Sequence, residues 1–146
     1  MYMKTIVPKI EPKDRNWYLV DLDGVTMGKA AVQVANLLRG KNKPIFSPHM
    51  DMGDNVIAVN AAGMRFSGKK LNQKTYYHYS GYPGGLKKVV LGKAMATKPD
   101  RVFLGAVKHM LPQNRLGRKQ IGKLHVYAGG EHPHSAQKPI KLKLSN

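Results

Sequence analysis

The sequence contains no cysteine, few acidic residues and no long hydrophobic run. The absence of cysteine excludes a disulfide scaffold, a thiol nucleophile, an iron–sulfur cluster and a Cys-ligated zinc site. No apolar run approaches the roughly 18 residues that a transmembrane helix requires. The first residues carry no apolar segment typical of a signal sequence. We therefore expect a cytoplasmic protein without a membrane partner.

What the sequence does contain is positive charge. Its 146 residues include 25 Lys and Arg against 8 Asp and Glu, a formal net charge of +17. The first 60 residues hold eight of these cations and six of the acids, whereas the remaining residues carry a net charge of +15. A compact domain with this imbalance repels itself unless a polyanion offsets the charge. Nucleic acid is the polyanion partner that such a composition most often indicates.

The near-neutral first part of the chain predicts a βαβ unit. Apolar runs over residues 17–22 and 55–61 are typical of buried strands. Between them, apolar residues recur at helical spacing over residues 28–39, with Thr26 as a candidate N-cap and Gly40 as a candidate C-cap. The two strands should therefore be parallel, as expected in an α/β fold.

The second part of the chain predicts shorter elements. We expect a short strand or turn over 63–70, a strand over 74–80, a helix over 87–98 and a helix from N-cap Asp100 to Met110. A short helix over 114–124 and a strand over 124–127 precede a basic, extended end. The predicted organisation is an N-terminal arm (1–16), one α/β domain (17–128) and a C-terminal tail (129–146).

Three sequence features resemble enzyme or metal motifs and are each incomplete. Residues 63–69 have the glycine and lysine spacing of a phosphate-binding loop, but Lys70 stands where the motif needs Ser or Thr. His132 and His134 supply two ligands, whereas a durable zinc site needs four. Asp51 and Asp54 lie in a loop, where carboxylates most often cap turns. We therefore predict no enzyme activity, no cofactor and no metal.

Groups of cations interleaved with aromatic and imidazole rings are the strongest functional signal. Cations pair with phosphates, and flat rings stack on unpaired bases. Four of the seven tyrosines fall within residues 76–82, and we expect about half of the rings on that strand to face the core, because strand side chains alternate faces. The predicted RNA-binding residues are Arg39, Lys41 and Lys43 after the first helix; Lys69, Lys70, Lys74, Tyr76, His78, Tyr82, Lys87 and Lys88 around the tyrosines; Lys108, His109, Arg115, Arg118, Lys119 and Lys123 farther along; and His132, His134 and Lys138 in the tail.

The segment VKHMLPQNRLGRKQIGKLHVYAG (107–129) closely resembles the signature of the bacterial type of large-subunit ribosomal protein thirteen. Co-linear agreement extends to WYLVDLDGVTMGKAA (17–31), LLRGKNKPIFSPHMDMGDNVIAVNA (37–61), FSGKKLNQKTYYHYSGYPGGLK (66–87) and GGEHPHSAQKP (129–139). The resemblance implies a three-layer α/β/α domain around a mostly parallel sheet. It also implies a structural protein, a monomer within the ribosome, that binds large-subunit ribosomal RNA beside neighbouring ribosomal proteins and acts in early subunit assembly.

Two other function classes remain open on the sequence alone. A messenger-binding or DNA-binding regulator would use the same basic surface. A nucleoside triphosphatase would use residues 63–69 and would need magnesium. Dependence on the 2′-hydroxyl and on folded RNA shape separates a duplex-DNA binder from the ribosomal interpretation, and magnesium-dependent ATP binding separates the nucleoside triphosphatase.

Overall fold

The βαβ unit predicted from the first part of the chain is present in the structure, a computed structural model that describes residues 14–144. Strand β1 (Trp17–Asp21) is followed by helix α1 (Met27–Arg39) and strand β2 (Asn55–Val59), and the two strands pair in parallel. Gly40 ends α1 in the left-handed conformation, with φ 77°, and its N–H donates to the carbonyl of Asn36 at 2.9 Å. The predicted arm (1–16) lies almost entirely outside the described residues.

Among the described residues, four parallel strands form the central sheet in the order β5, β2, β1, β6. Strand β5 (Leu124–Val126) extends the sheet on one side, and β6 (Ile140–Leu142) extends it on the other. The residues around β6 were expected to be an extended tail, and this strand attaches that segment to β1. The fold is a single α/β unit with a parallel sheet, as predicted.

Helix α4 (Pro99–Met110) packs against α1, and together they cover the apolar core. Phe103 and Val107 of α4 are fully buried with Val34 and Leu38 of α1. The helix begins at Pro99, whose fixed φ suits a first helical position, so Asp100 lies in the first turn and the prediction of Asp100 as N-cap is wrong. Thr26 occupies the N-cap position of α1 without a side-chain capping bond.

The segment predicted as one helix over 87–98 is divided between a strand and a helix. Strand β3 (Thr75–Tyr79) pairs antiparallel with β4 (Leu86–Val90), and α3 (Leu91–Thr97) follows directly. Val89 and Val90 lie opposite Tyr76 and Thr75, and β-branched and aromatic residues favour such cross-strand pairs. The hairpin is separate from the central sheet.

The remaining described elements are short. Helix α2 (Lys70–Gln73) lies before the hairpin, α5 (Arg115–Ile121) lies before β5, and 3₁₀ helices span Ala61–Gly63 and Ser135–Gln137. The helix that follows residues 63–69 therefore has only 4 residues. The phosphate loop of nucleotide-binding proteins instead leads from a strand into a full helix whose N-terminus holds the phosphates. Within residues 14–144, no helix is long and apolar enough to cross a bilayer.

Candidate nucleic-acid interface

The hairpin of β3 and β4 exposes its tyrosines to solvent. Tyr77 and Tyr79 share one face and are 63% and 60% exposed, and Tyr82 in the connecting loop is 75% exposed. Tyr76, on the opposite face, is 36% exposed. The expectation that about half of these rings face the core is therefore wrong: the hairpin forms a two-stranded sheet of its own, and within the described residues each ring from Tyr76 to Tyr79 is exposed.

Lysines accompany the exposed rings. Lys88 lies directly across the hairpin from Tyr77, and its Nζ is 5.8 Å from the ring centroid. Lys74 Nζ lies 5.3 Å from the centroid of Tyr76. The other lysines predicted here are also exposed, namely Lys69, Lys70 and Lys87. The hairpin thus presents flat rings and cations together, which is the arrangement that single-stranded nucleic acids bind.

Sequence reasoning selected Tyr76 and His78 but omitted Tyr77 and Tyr79. The tyrosines occur on both faces of one strand. The alternation of side chains along a strand therefore divides the rings into two sets, but it does not show which set is the more exposed. The structure shows Tyr77 and Tyr79 as the more exposed pair. The sequence offered no signal for this face, because lysines lie opposite both, Lys88 across from Tyr77 and Lys87 across from His78.

A second cationic surface joins the end of α4 to α5. Arg115, Arg118 and Lys119 are all exposed on α5. Asn114 fixes the start of this helix, since its side-chain oxygen accepts the N–H of Gly117 at 2.8 Å. A cleft of about 420 Å³ separates α5 from the end of α4, and its lining includes Lys108, His109 and Arg118 with no Asp or Glu.

Lys123 belongs to the interior, and the prediction that it binds RNA is wrong. The residue is 7% exposed, and its Nζ lies 2.5 Å from Asp51 Oδ1 and 3.0 Å from the carbonyl of Gly53. Helix α5 ends at Ile121, so Lys123 does not share its exposed face. Burial lowers the pKa of Lys123, and the adjacent Asp51 carboxylate opposes that shift.

Lys43 is likewise occupied within the chain. Its Nζ lies 2.6 Å from Asp54, which is fully buried and also accepts the N–H of Asn16 at 3.0 Å. Asp51 and Asp54 are therefore partners of lysines rather than the turn caps that their loop position suggested. Of the other cations predicted in this region, Lys41 is exposed, and half-buried Arg39 lies 6.0 Å from the centroid of the Phe46 ring.

The residues after β5 fold back onto the sheet through a group of rings. His134 Nε2 lies 2.8 Å from the hydroxyl of Tyr127, and its ring centroid is 4.6 Å from His125 and 5.5 Å from Trp17. Burial and the neighbouring His134 lower the pKa of His125. His134 thus has partners within the chain, whereas Lys138 is exposed.

The histidine pair does not extend to a metal centre. Among residues 14–144, no three His, Cys, Asp or Glu side chains come together in a group that would hold an ion. His132 and His134 stack with ring centroids 6.5 Å apart, and Glu131 next to them is exposed. The chemistry available in this part of the chain is ring stacking and hydrogen bonding.

Comparison with known proteins gives one consistent result. The family model described as "Ribosomal protein L13" matches residues 15–133. Among curated relatives, "Large ribosomal subunit protein uL13" of Thermus thermophilus is 54% identical over 143 residues, 97% of this chain and 100% of the relative. The protein of the same name from Oleidesulfovibrio alaskensis is 52% identical over 142 residues, 97% of this chain and 99% of the relative.

Proposed function

The chain belongs to the ribosomal protein L13 family, and from this premise we propose that it is a structural, non-enzymatic constituent of the large ribosomal subunit. It binds large-subunit ribosomal RNA in the cytoplasm, beside neighbouring ribosomal proteins, and supports early assembly of the subunit. The α/β unit serves as a rigid platform. The hairpin and the cationic surfaces around it contact the RNA.

The observation that carries this proposal is the absence of acidic residues from both cationic clefts. Among residues 14–144, no Asp or Glu lines the cleft beside α5 or the larger groove at the base of the hairpin. An exposed surface that is only solvated usually mixes charges of both signs. Cations without opposing carboxylates instead favour a polyanion, and the exposed tyrosines favour one with unpaired bases.

The proposed interface keeps the residues of the sequence prediction except Lys43 and Lys123, which pair with Asp54 and Asp51, and adds the second tyrosine face. It comprises Arg39 and Lys41; Lys69, Lys70, Lys74, Tyr76, Tyr77, His78, Tyr79, Tyr82, Lys87 and Lys88; Lys108, His109, Arg115, Arg118 and Lys119; and His132, His134 and Lys138. Residues 129–146 act as its C-terminal part, and within them β6 pairs with β1.

Each cation that meets a phosphate releases a bound counterion from the RNA. Affinity should therefore fall linearly with salt on a double-logarithmic plot, with a slope set by the number of phosphates that the protein neutralises. The same ion pairs relieve the self-repulsion of the second part of the chain, so the bound protein should be more stable than the free one.

Filter binding to large-subunit ribosomal RNA at several salt concentrations tests the proposal. The variant Arg118→Gln/Lys119→Gln should bind more weakly, and its salt slope should fall by about one for each phosphate that is no longer neutralised. The control Lys29→Gln/Lys93→Gln removes the same charge from positions outside the interface and should keep the slope. Equal slopes for both variants, or equal affinity for duplex DNA and ribosomal RNA, would contradict the proposal.

A further inference from the structure

A groove of about 690 Å³ lies between the base of the hairpin, the start of α1 and one side of α3 and α4. Its volume is in the range, about 300–1,000 Å³, that proteins use for small ligands. Apolar atoms come from Met27, Phe66, Tyr76, Val89 and Met110. The groove was not apparent in the sequence, since its residues come from five separate segments.

The cations that line the groove are exposed and lack carboxylate partners. They are Arg65, Lys70, Lys74, Lys98 and Arg101, with the imidazole of His109 beside them. The ion pairs described within residues 14–144 involve Arg15, Lys43 and Lys123 and none of these side chains. A ligand that complements this groove has a flat apolar part that contacts the apolar residues and negatively charged groups that contact the surrounding cations.

Two glycines keep the groove open. A Cβ added at Gly28 of α1 or Gly105 of α4 would meet no atom within 4 Å. Packing against the core therefore does not require glycine at either position. Glycine also destabilises the interior of a helix such as α4, so the local structure does not favour it either. Both glycines line the groove, so the open space beside them belongs to it.

We propose that this groove holds an unpaired nucleotide of the RNA, with its base against Phe66, Tyr76 and the two methionines and its phosphates on the surrounding cations. The inference rests on the proposed function and names a specific site within it. Tyr76 connects the groove to the exposed hairpin, so one strand of RNA can follow the hairpin and insert a base. A nucleotide combines the π-face of its base with adjacent phosphates, and a peptide of acidic side chains does not offer this combination.

The methionines of the groove allow a direct test on the free, full-length protein. Their methyl groups are labelled with ¹³C, and hexaadenylate is added as the probe. The signals of Met27 and Met110 should shift saturably, while that of Met52, 1% exposed in the core, should stay in place. An abasic hexamer with the same phosphates, a duplex RNA and hexaglutamate should shift the Met27 and Met110 signals much less than hexaadenylate does.

Filling the groove should prevent the shifts. Gly105→Leu places a side chain in the open space and should weaken hexaadenylate binding about ten-fold, as removal of one stacked base does. Ala96→Leu, exposed on α3 outside the groove, is the matched control and should bind as the unmodified chain does. If Gly105→Leu does not fold, Lys98→Gln/Arg101→Gln tests the same site through its charge and should also weaken binding.

The outcomes separate this inference from the proposed function. If Met27 and Met110 do not move with hexaadenylate, or move equally with the abasic hexamer or hexaglutamate, the nucleotide site is wrong. Salt-dependent filter binding of the ribosomal RNA would then still support the proposed function. If the RNA itself does not bind in the filter assay, the proposed function fails first.

Discussion

Lys123 Nζ lies 2.5 Å from Asp51 Oδ1, although the two residues are 72 positions apart in the chain. The same ammonium group donates to the carbonyls of Leu38 and Gly53, so it joins the end of α1 to the loop before β2. Arg15 also pairs with Asp51, at 3.2 Å. Lys123 therefore stabilises the α/β unit itself, although most of the chain's positive charge lies on its surface.

Breaking this buried pair should destabilise the protein. Lys123→Met leaves Asp51 without its nearest partner and two carbonyls without their donor, so we expect a decrease of about 3 kcal/mol in the free energy of unfolding. Urea denaturation measures it. Lys119→Met, on the exposed face of α5, is the control and should change stability by less than about 0.5 kcal/mol. A Lys123 variant as stable as this control would contradict the assignment.

Gly53 should not tolerate a side chain. A Cβ at this position would overlap the carbonyl oxygen of Leu38. The Lys123 ammonium donates to the carbonyls of both Leu38 and Gly53, so it holds these two backbone segments together. We expect Gly53→Ala to cost about 3 kcal/mol, at the upper end of overpacking substitutions. Gly105→Ala provides the contrast in the same urea experiment, since its Cβ meets no atom within 4 Å and should stabilise α4 by about 0.5–1 kcal/mol. Equal effects would show that the backbone can move apart.

The exposed tyrosines should contribute to RNA affinity without contributing to stability. Replacing Tyr77 or Tyr79 with Ala should weaken binding to large-subunit ribosomal RNA about ten-fold, because the base no longer stacks on a ring. Tyr77→Phe keeps the ring and should bind normally. Because both rings are mostly exposed, the urea midpoint should stay the same in all three variants. Normal RNA binding by both alanine variants would place the interface elsewhere.

The elements near one another in sequence were predictable, because local patterns determine them. The buried runs of β1 and β2 and the helical spacing of α1 each appear within one window of residues. Gly40 was identifiable because a helix C-terminus commonly needs a residue with positive φ, and its φ is 77°. Local propensity and tertiary structure agree in this part of the chain.

Prediction failed where distant partners decide the outcome. Residues 87–90 form a strand because Tyr76 and its neighbours pair with them across a loop. Lys123 matched the helical spacing of Arg115 and Lys119, but Asp51 draws it into the interior. The groove at the hairpin combines residues from 26 to 110, so no single window of sequence contains it.

Acidification should destabilise the fold through His125. Its pKa in the folded protein is below 6.5, because burial and the adjacent His134 disfavour the charged ring. The neutral form is thus the stabilised one: this contribution is complete above pH 6.5 and is lost as the pH falls from 6.5 through the folded-state pKa. Urea denaturation at pH 7.5, 6.5 and 5.5 should show the decrease.

Substitution at His125 separates its titration from that of the other histidines. His125→Phe keeps an aromatic ring beside Trp17, whose ring is 5.8 Å away, and should reduce the dependence of stability on pH. His78→Phe, on the exposed hairpin, should retain it. An unchanged pH profile in His125→Phe would assign the effect to another group.

Strand β6 should be required for stability although it lies in the basic C-terminal segment. It pairs with Tyr18, Leu19 and Val20 of β1, and Leu142 and Leu144 pack against the core. Removing all residues after Lys138 exposes the edge of β1 and should cost about 2–4 kcal/mol, because apolar burial and strand hydrogen bonds are removed. Lys141→Gln/Lys143→Gln changes only exposed cations and should keep the urea midpoint. If truncation lowers the urea midpoint no more than this double variant does, the segment does not stabilise the fold. Its proposed role would then be RNA binding alone.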